Sequence, residues 1–258
     1  MKQAIFAAAL ALVPAGTVLA QDIPSGAGTL SVSPVVQGLD TPWSFDFLPD
    51  GTILITERGG DLLAVRDGSA QRLSGLPEIY TRGQGGLLDV LVPRDFDTSR
   101  EIFLTYSKRQ QGGAGTAVLK ARLSQDGSRL VETRTIFEMS PGSSGGRHFG
   151  SRIVEAQDGH LFVTIGERGD RPSAQNLARH NGSVIRITRD GAVPRDNPFV
   201  GRDGAQPEIW SYGHRNPQGI VFGPDGTLYQ SEHGANADDE INILQGGARA
   251  YCTQSRGR

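Results

Sequence analysis

One phrase recurs along this chain and limits what it can fold into. It reads P-D-G-T-I-L-I-T-E-R-G-G-D at 49–61, Q-D-G-H-L-F-V-T-I-G-E-R-G-D at 157–170 and G-P-D-G-T-L-Y-Q-S-E-H-G-A-N at 223–236. A looser copy, R-D-F-D-T-S-R-E-I-F-L-T-Y-S, occupies 94–107. Each copy joins a tight turn to a short run of β-branched and aromatic residues, the signature of a strand entered from a hairpin. A second such run follows in D-L-L-A-V-R (61–66), A-V-L-K-A-R-L (117–123) and S-V-I-R-I-T-R (183–189). No helical periodicity separates the copies, so the chain is expected to be all-β. Strand-turn-strand units at this spacing predict a β-propeller with long loops and about four blades. An irregular β-sandwich also accommodates short strands, but it does not require the same phrase at the same place in each unit. A ring left open after four blades is expected to expose apolar sheet faces at both ends.

Composition agrees with a turn-rich globular chain. Thirty-five of 258 residues are glycine, roughly double the average usage of about 7%. The formal net charge of −2 provides no basic footprint for nucleic acid, and no Lys/Arg block marks a membrane surface. Cys252 is the only cysteine, so no internal disulfide can form. Residues 1–20, with Lys2, the apolar run Ala4 to Val13 and Val18-Leu19-Ala20, fit an export signal cleaved before Gln21. Such a leader places the mature protein in a periplasm, with 21–34 as a lead-in. The run is too short to span a bilayer, and a buried first helix is the alternative.

Three stretches carry more polar residues between glycines than strands need. They are T-R-G-Q-G-G-L-L-D-V (81–90), G-G-R-H-F-G-S-R (145–152), and the pair W-S-Y-G-H-R-N-P-Q-G (210–219) with S-E-H-G-A-N-A-D-D-E-I-N (231–242). Singly, each has a plain explanation as a surface turn or a solvated acidic corner. In a propeller, loops at one end of the blades converge on the mouth of the central channel, where ligands bind.

These runs, with G-L-D-T-P-W-S-F-D-F-L-P-D-G, R-P-S-A-Q-N-L and D-N-P-F-V, make residues 35–247 resemble the glucose/sorbosone dehydrogenase family, and its aldose branch in particular. The resemblance implies a six-bladed propeller that uses pyrroloquinoline quinone (PQQ) and Ca2+ to oxidise aldose sugars at C1 to lactones, with electrons passed to an external acceptor. On that resemblance His148 is the catalytic base, and Gln84 contacts cofactor or substrate near it. Arg215 and Asn216 bind the quinone, where a guanidinium can stabilise developing negative charge. Gly234 and Ala235 supply carbonyls to the quinone-side calcium, Asp239 is a carboxylate in the same region, and Glu240 and Tyr251 match a structural calcium site. Hard oxygen ligands of this kind suit Ca2+. If Arg147 and Arg152 point inward, they are expected to keep His148 unprotonated.

Two departures stand out. His233 replaces a glutamine found in some relatives. After the glycine turn the family continues Asn-Tyr-Gly-Trp-Pro, whereas this chain reads A-R-A-Y-C-T-Q-S-R-G-R over 248–258. That change predicts an interrupted propeller, with 248–258 an aberrant tail. A non-catalytic propeller that binds a glycan or a protein is therefore a second reading. A calcium-dependent lactone hydrolase is a third, and it would need acidic ligands on several blades.

Overall fold

The computed structural model describes residues 21–250. Residues 1–20 and Tyr251, assigned above to an export signal and a calcium site, lie outside the described residues. Residues 21–32, expected as part of a lead-in, form an exposed antiparallel hairpin of β1 (Gln21–Ser25) and β2 (Gly28–Val32), a unit of its own.

From Gly38 onward the chain builds four successive antiparallel sheets. The first holds β3 (Pro42–Phe47), β4 (Ile53–Glu57), β5 (Asp61–Arg66) and β6 (Ser69–Leu73). The second holds β7 (Leu87–Leu91), β8 (Glu101–Gln110), β9 (Gly113–Leu123) and β10 (Leu130–Glu138). The third holds β11 (Ile153–Glu155), β12 (Leu161–Ile165), β13 (Ser183–Ile187) and β14 (Ile209–Tyr212). The fourth has three strands, β15 (Pro217–Phe222), β16 (Leu228–Glu232) and β17 (Glu240–Ile243). The first strands of successive sheets abut one another: β3 meets β7, β7 meets β11, and β11 meets β15. This is the blade arrangement of a β-propeller, about four blades long, as the repeat predicts.

The repeat explains itself atom by atom. Asp50, Asp158 and Asp225 each accept the N–H two residues on, at 2.9, 3.1 and 3.0 Å. The glycine between has a positive φ, 84° at Gly51, 83° at Gly159 and 80° at Gly226, a conformation costly for any residue with a Cβ. Six residues past each aspartate stands a hydroxyl. Thr56 donates to Leu88 O and Thr164 to Pro217 O at 3.2 Å, each reaching the inner strand of the next sheet. Thr105 in the looser copy reaches Ser151 O at 2.6 Å. The equivalent in the fourth sheet, Ser231, is exposed.

Each junction also encloses an apolar core. Leu54 and Leu62 meet Leu87 and Leu104 between the first two sheets. Phe103 and Val118 meet Val163 and Ile185 at the next, and Phe162 and Val184 meet Leu228 at the third. Fully burying each such side chain is worth about 1.5–3 kcal/mol, so sheet stacking, rather than turn chemistry, holds the body together. The outer faces of the first and fourth sheets stay open, with Phe45 61% and Ile241 80% exposed. No helix among the described residues is long and apolar enough to cross a membrane.

An ion pair between a half-buried arginine and a buried carboxylate joins three inner strands. Arg152 donates to Asp89 Oδ1 at 3.1 Å, to Ser44 Oγ at 2.8 Å and to Gln218 O at 2.8 Å, and stacks on Trp43 with its guanidinium 4.2 Å from the ring centre. Burial pushes the Asp89 carboxyl pKa up, and Arg152 opposes that rise. Removing the cation strands a buried carboxylate, so Arg152→Met is expected to cost about 3–5 kcal/mol. A raised folded-state pKa means that the charged form destabilises the fold, and stability is lost as pH rises through that pKa. The loss measured by urea unfolding should therefore be larger at pH 8 than at pH 4.

Candidate active site

The loop 143–150 crosses the end of the third sheet with its backbone pressed against neighbours on both sides. A Cβ at Gly83 would overlap Gly146 O, and one at Gly145 would overlap Arg168 O. Gln84 N–H donates to Gly146 O at 2.8 Å, and the Gln84 side-chain oxygen accepts the His148 N–H at 2.7 Å. From below, the buried Arg168 donates to Arg147 O and Gly145 O and lies 3.3 Å from the Phe149 ring centre. Burial lowers the Arg168 pKa to about 10, against the opposing pull of the neighbouring Glu167 charge. Held this way, His148 takes φ 56°, a left-handed conformation rare for a residue with a Cβ.

His148 is buried, and its Nδ1 lies 2.8 Å from Glu167 Oε1. A carboxylate only accepts, so Nδ1 carries the proton toward Glu167, and Nε2 is the ring nitrogen that this bond leaves free. The second Glu167 oxygen accepts Gly169 N–H, and its backbone N–H donates to Arg215 O at 2.8 Å. Glu167 thus ties the imidazole to the Arg215 segment. Asn216 Oδ1 in turn accepts the Gly150 N–H at 3.2 Å.

Two cavities open here. One of about 500 Å3 is lined by Arg147, His148, Glu167, Arg171, Arg215 and Ala235. The other, about 210 Å3, is lined by residues of the first, second and fourth sheets and of the loop that enters the third, among them Trp43, Gln84, Phe149, Asn216 and His233. Gln84 and Asn216 line the smaller cavity and His148 and Arg215 the larger, and the bond from His148 N–H to Gln84 links the two linings, so residues far apart in the sequence are brought together here. Arg215 donates to His233 O at 3.2 Å, while its buried Nε has no hydrogen-bond partner. In the larger cavity Arg147, Arg171 and Arg215 outnumber Glu167 and Asp170, a balance that suits an anionic ligand.

One expectation is corrected. Arg152 does not face His148, because Asp89, Ser44 and Trp43 engage its guanidinium. The direct partner of the imidazole is Glu167. Its signal is present in the sequence: the repeat ends in Glu57-Arg58-Gly59, Glu167-Arg168-Gly169 and Glu232-His233-Gly234. Each of these glutamates is buried and binds the segment leading into its own sheet. On the 231–242 loop, Asp239 Oδ1 accepts Gly234 N–H at 2.9 Å, and Glu240 on β17 accepts from Asn242 at 3.3 Å. Ala235 lines the larger cavity, but Asp239 and Glu240 line neither. Among the described residues no group of three or more His, Cys, Asp or Glu could hold a metal ion. Any cation beside Ala235 would rely on carbonyl oxygens.

Residues 39–251 match the Glucose / Sorbosone dehydrogenase family. The chain belongs to that family. It is 46% identical over 224 residues to aldose sugar dehydrogenase YliI of Escherichia coli (strain K12), covering 85% of this chain and 60% of that protein. It is 30% identical over 240 residues to quinoprotein glucose dehydrogenase B of Acinetobacter calcoaceticus, covering 81% and 49%. Among solved structures, the apo-form of the soluble E. coli aldose sugar dehydrogenase superposes with a TM-score of 0.79 at 47% identity, over 82% of this chain and 62% of the other. The PQQ-bound aldose sugar dehydrogenase of Streptomyces coelicolor gives 0.76 at 27% identity, over 84% and 64%. The chain thus spans 49–60% of the length of these two curated family members.

Proposed function

We propose that this site belongs to a quinoprotein that oxidises the C1 hydroxyl of aldose sugars to lactones, with PQQ and Ca2+ as cofactors and an external electron acceptor. The observation that carries the reading is the His148–Glu167 pair facing a cavity shared with Arg215, within a family whose S. coelicolor member binds PQQ. Bound PQQ would supply a two-electron acceptor for the hydride leaving C1. Arg215, Asn216 and Gln84 are the residues that would hold it, and the unpaired Nε of Arg215 fits a carboxylate or quinone oxygen. The Gly234 and Ala235 carbonyls are the donors available to calcium.

His148 Nε2 accepts the proton of the sugar hydroxyl as the C–H bond breaks. Glu167 orients the ring and stabilises the imidazolium that results, the role a carboxylate plays behind any imidazole base. Gln84, by binding the His148 N–H, keeps the base at its distance from the mouth rather than touching the reaction itself. Residues 1–20 read as an export signal put this chemistry in the periplasm.

The test is direct. The protein is incubated with PQQ and Ca2+, and reduction of an artificial dye acceptor is followed with glucose and other aldoses. PQQ-dependent reduction is expected. Its absence from protein whose fold is intact by circular dichroism would falsify the reading.

A further inference from the structure

Two imidazole–carboxylate pairs occupy matching places in successive sheets. His148 precedes β11 and meets Glu167 just beyond β12, whereas His214 precedes β15 and meets Glu232 at the end of β16. In both, Nδ1 faces a glutamate oxygen, at 2.8 and 3.0 Å. The pairs differ at the far ring nitrogen. Nε2 of His148 is available to the cavity, while Nε2 of His214 lies 2.9 Å from Ser211 Oγ. With Nδ1 donating to Glu232, Nε2 of His214 accepts the serine proton, and both ring nitrogens are occupied.

Ser211, His214 and Glu232 have the order of bonds of a hydrolase triad, yet that role does not fit. Ser211 and His214 are each 1% exposed, Glu232 is 6% exposed, and none of the three lines either cavity beside the site. No substrate can reach the serine. What the cluster does touch is the next residue in the chain. Glu232 Oε1 accepts the Arg215 N–H, while Oε2 accepts from His214 and, at 3.0 Å, from Gln230. Asn242 donates to Gln230 Oε1 at 3.0 Å and closes the chain of bonds on β17. On the other side Arg215 O accepts the Glu167 N–H. The peptide groups on both sides of the Arg215 Cα are therefore pinned by equivalent glutamates of two adjacent sheets, leaving only the side chain to reach the cavity.

We infer that the Ser211–His214–Glu232 cluster is a positioning device that fixes the Arg215 backbone and so aims its guanidinium into the His148 cavity. The inference deepens the proposed function and rests on it only for the identity of the ligand. The repeat supplies a glutamate in the first, third and fourth sheets, and its use depends on what stands before the inner strand of its own sheet. In the third sheet it holds a base, and in the fourth it holds the residue that would meet the quinone. Burial tends to raise the Glu232 carboxyl pKa, but the bonds from His214, Gln230 and Arg215 outweigh it and leave that pKa lowered. The acceptor is thus ionised and strong at neutral pH.

Two variants and two readouts test this. Glu232→Ala removes both acceptors, whereas Glu232→Gln keeps an oxygen for the Arg215 N–H. Hydrogen exchange of the full chain, without cofactor, reads the backbone directly. In Glu232→Ala the Arg215 and Asn216 amides are expected to exchange about tenfold faster or more, with β12 and β13 amides unchanged. PQQ affinity, read in the presence of Ca2+ by quenching of tryptophan emission, is expected to fall roughly 10- to 100-fold in the same variant. Glu232→Gln should restore both readings to near the wild-type values. Unchanged Arg215 exchange in Glu232→Ala, or unchanged affinity despite faster exchange, overturns the inference. Loss of protection throughout β12 and β13 also overturns it, because the cluster would then be a general stabiliser. If the wild-type chain takes up no PQQ, the ligand assignment fails and the exchange arm alone decides the positioning role.

Discussion

Replacing His148 with Gln is expected to lower the turnover of the PQQ-loaded protein by about 10²–10⁴-fold, the usual worth of a positioned general base. Glutamine is close in length and polar, so PQQ affinity should stay within a few-fold of wild type, and the loss should appear in kcat. Glu167→Gln separates orientation from basicity. The amide can accept the imidazole N–H through its oxygen, but it brings no charge to stabilise an imidazolium. A smaller loss in kcat, with the ring still in place, is the expected result of steady-state dye reduction. Equal turnover in His148→Gln and wild type would remove His148 from the chemistry and take the proposed function with it.

Gly166→Ala is expected to damage fold and site together. A Cβ there would overlap the carbonyl oxygen and carbon of His148 and lie 3.0 Å from Asn216 Oδ1. The obstacle is backbone that cannot rotate away, so the third sheet or the His148 loop must shift. Overpacking of this kind costs about 1–3 kcal/mol or more, and the same shift would separate Nδ1 from Glu167. Gly159→Ala is the control. It has a similar lack of a side chain and φ 83°, but nothing lies within 4 Å of its Cβ. Its penalty should be the backbone conformation alone, about 1–2 kcal/mol, with PQQ binding and kcat retained. Urea unfolding and dye reduction on both variants check the contrast. Equal behaviour would show that the close approach at Gly166 has no consequence.

The signals that were legible in the sequence were local or repeated. Asp50, Asp158 and Asp225 close their turns within two residues, so the turns could be read from a few letters. Repetition of those turns, and the apolar runs after them, sufficed for an all-β chain of about four blades. Gln84, His148, Arg215 and Asn216 were marked by glycine-bounded polarity in runs of strong family resemblance, and in the fold they line two cavities, Gln84 and Asn216 the smaller and His148 and Arg215 the larger. Glu167 sits inside the repeat, yet a glutamate directly after a strand reads as surface. Its burial is a product of the third sheet meeting the loop 19 residues earlier. Arg152 misled for the converse reason. Adjacency to His148 in sequence suggested a shared field, while its true partner Asp89 stands 63 residues away.

The division has a physical basis. Turn closure, strand propensity and alternation depend on neighbours a few bonds apart, and the amino-acid order determines them without further information. Which sheets stack, which carbonyl meets Thr56 or Thr105, and which glutamate faces which imidazole depend on chain segments brought together only when apolar faces are buried. Only that packing decided that the same glutamate position should hold His148 in one sheet and the Arg215 backbone in the next.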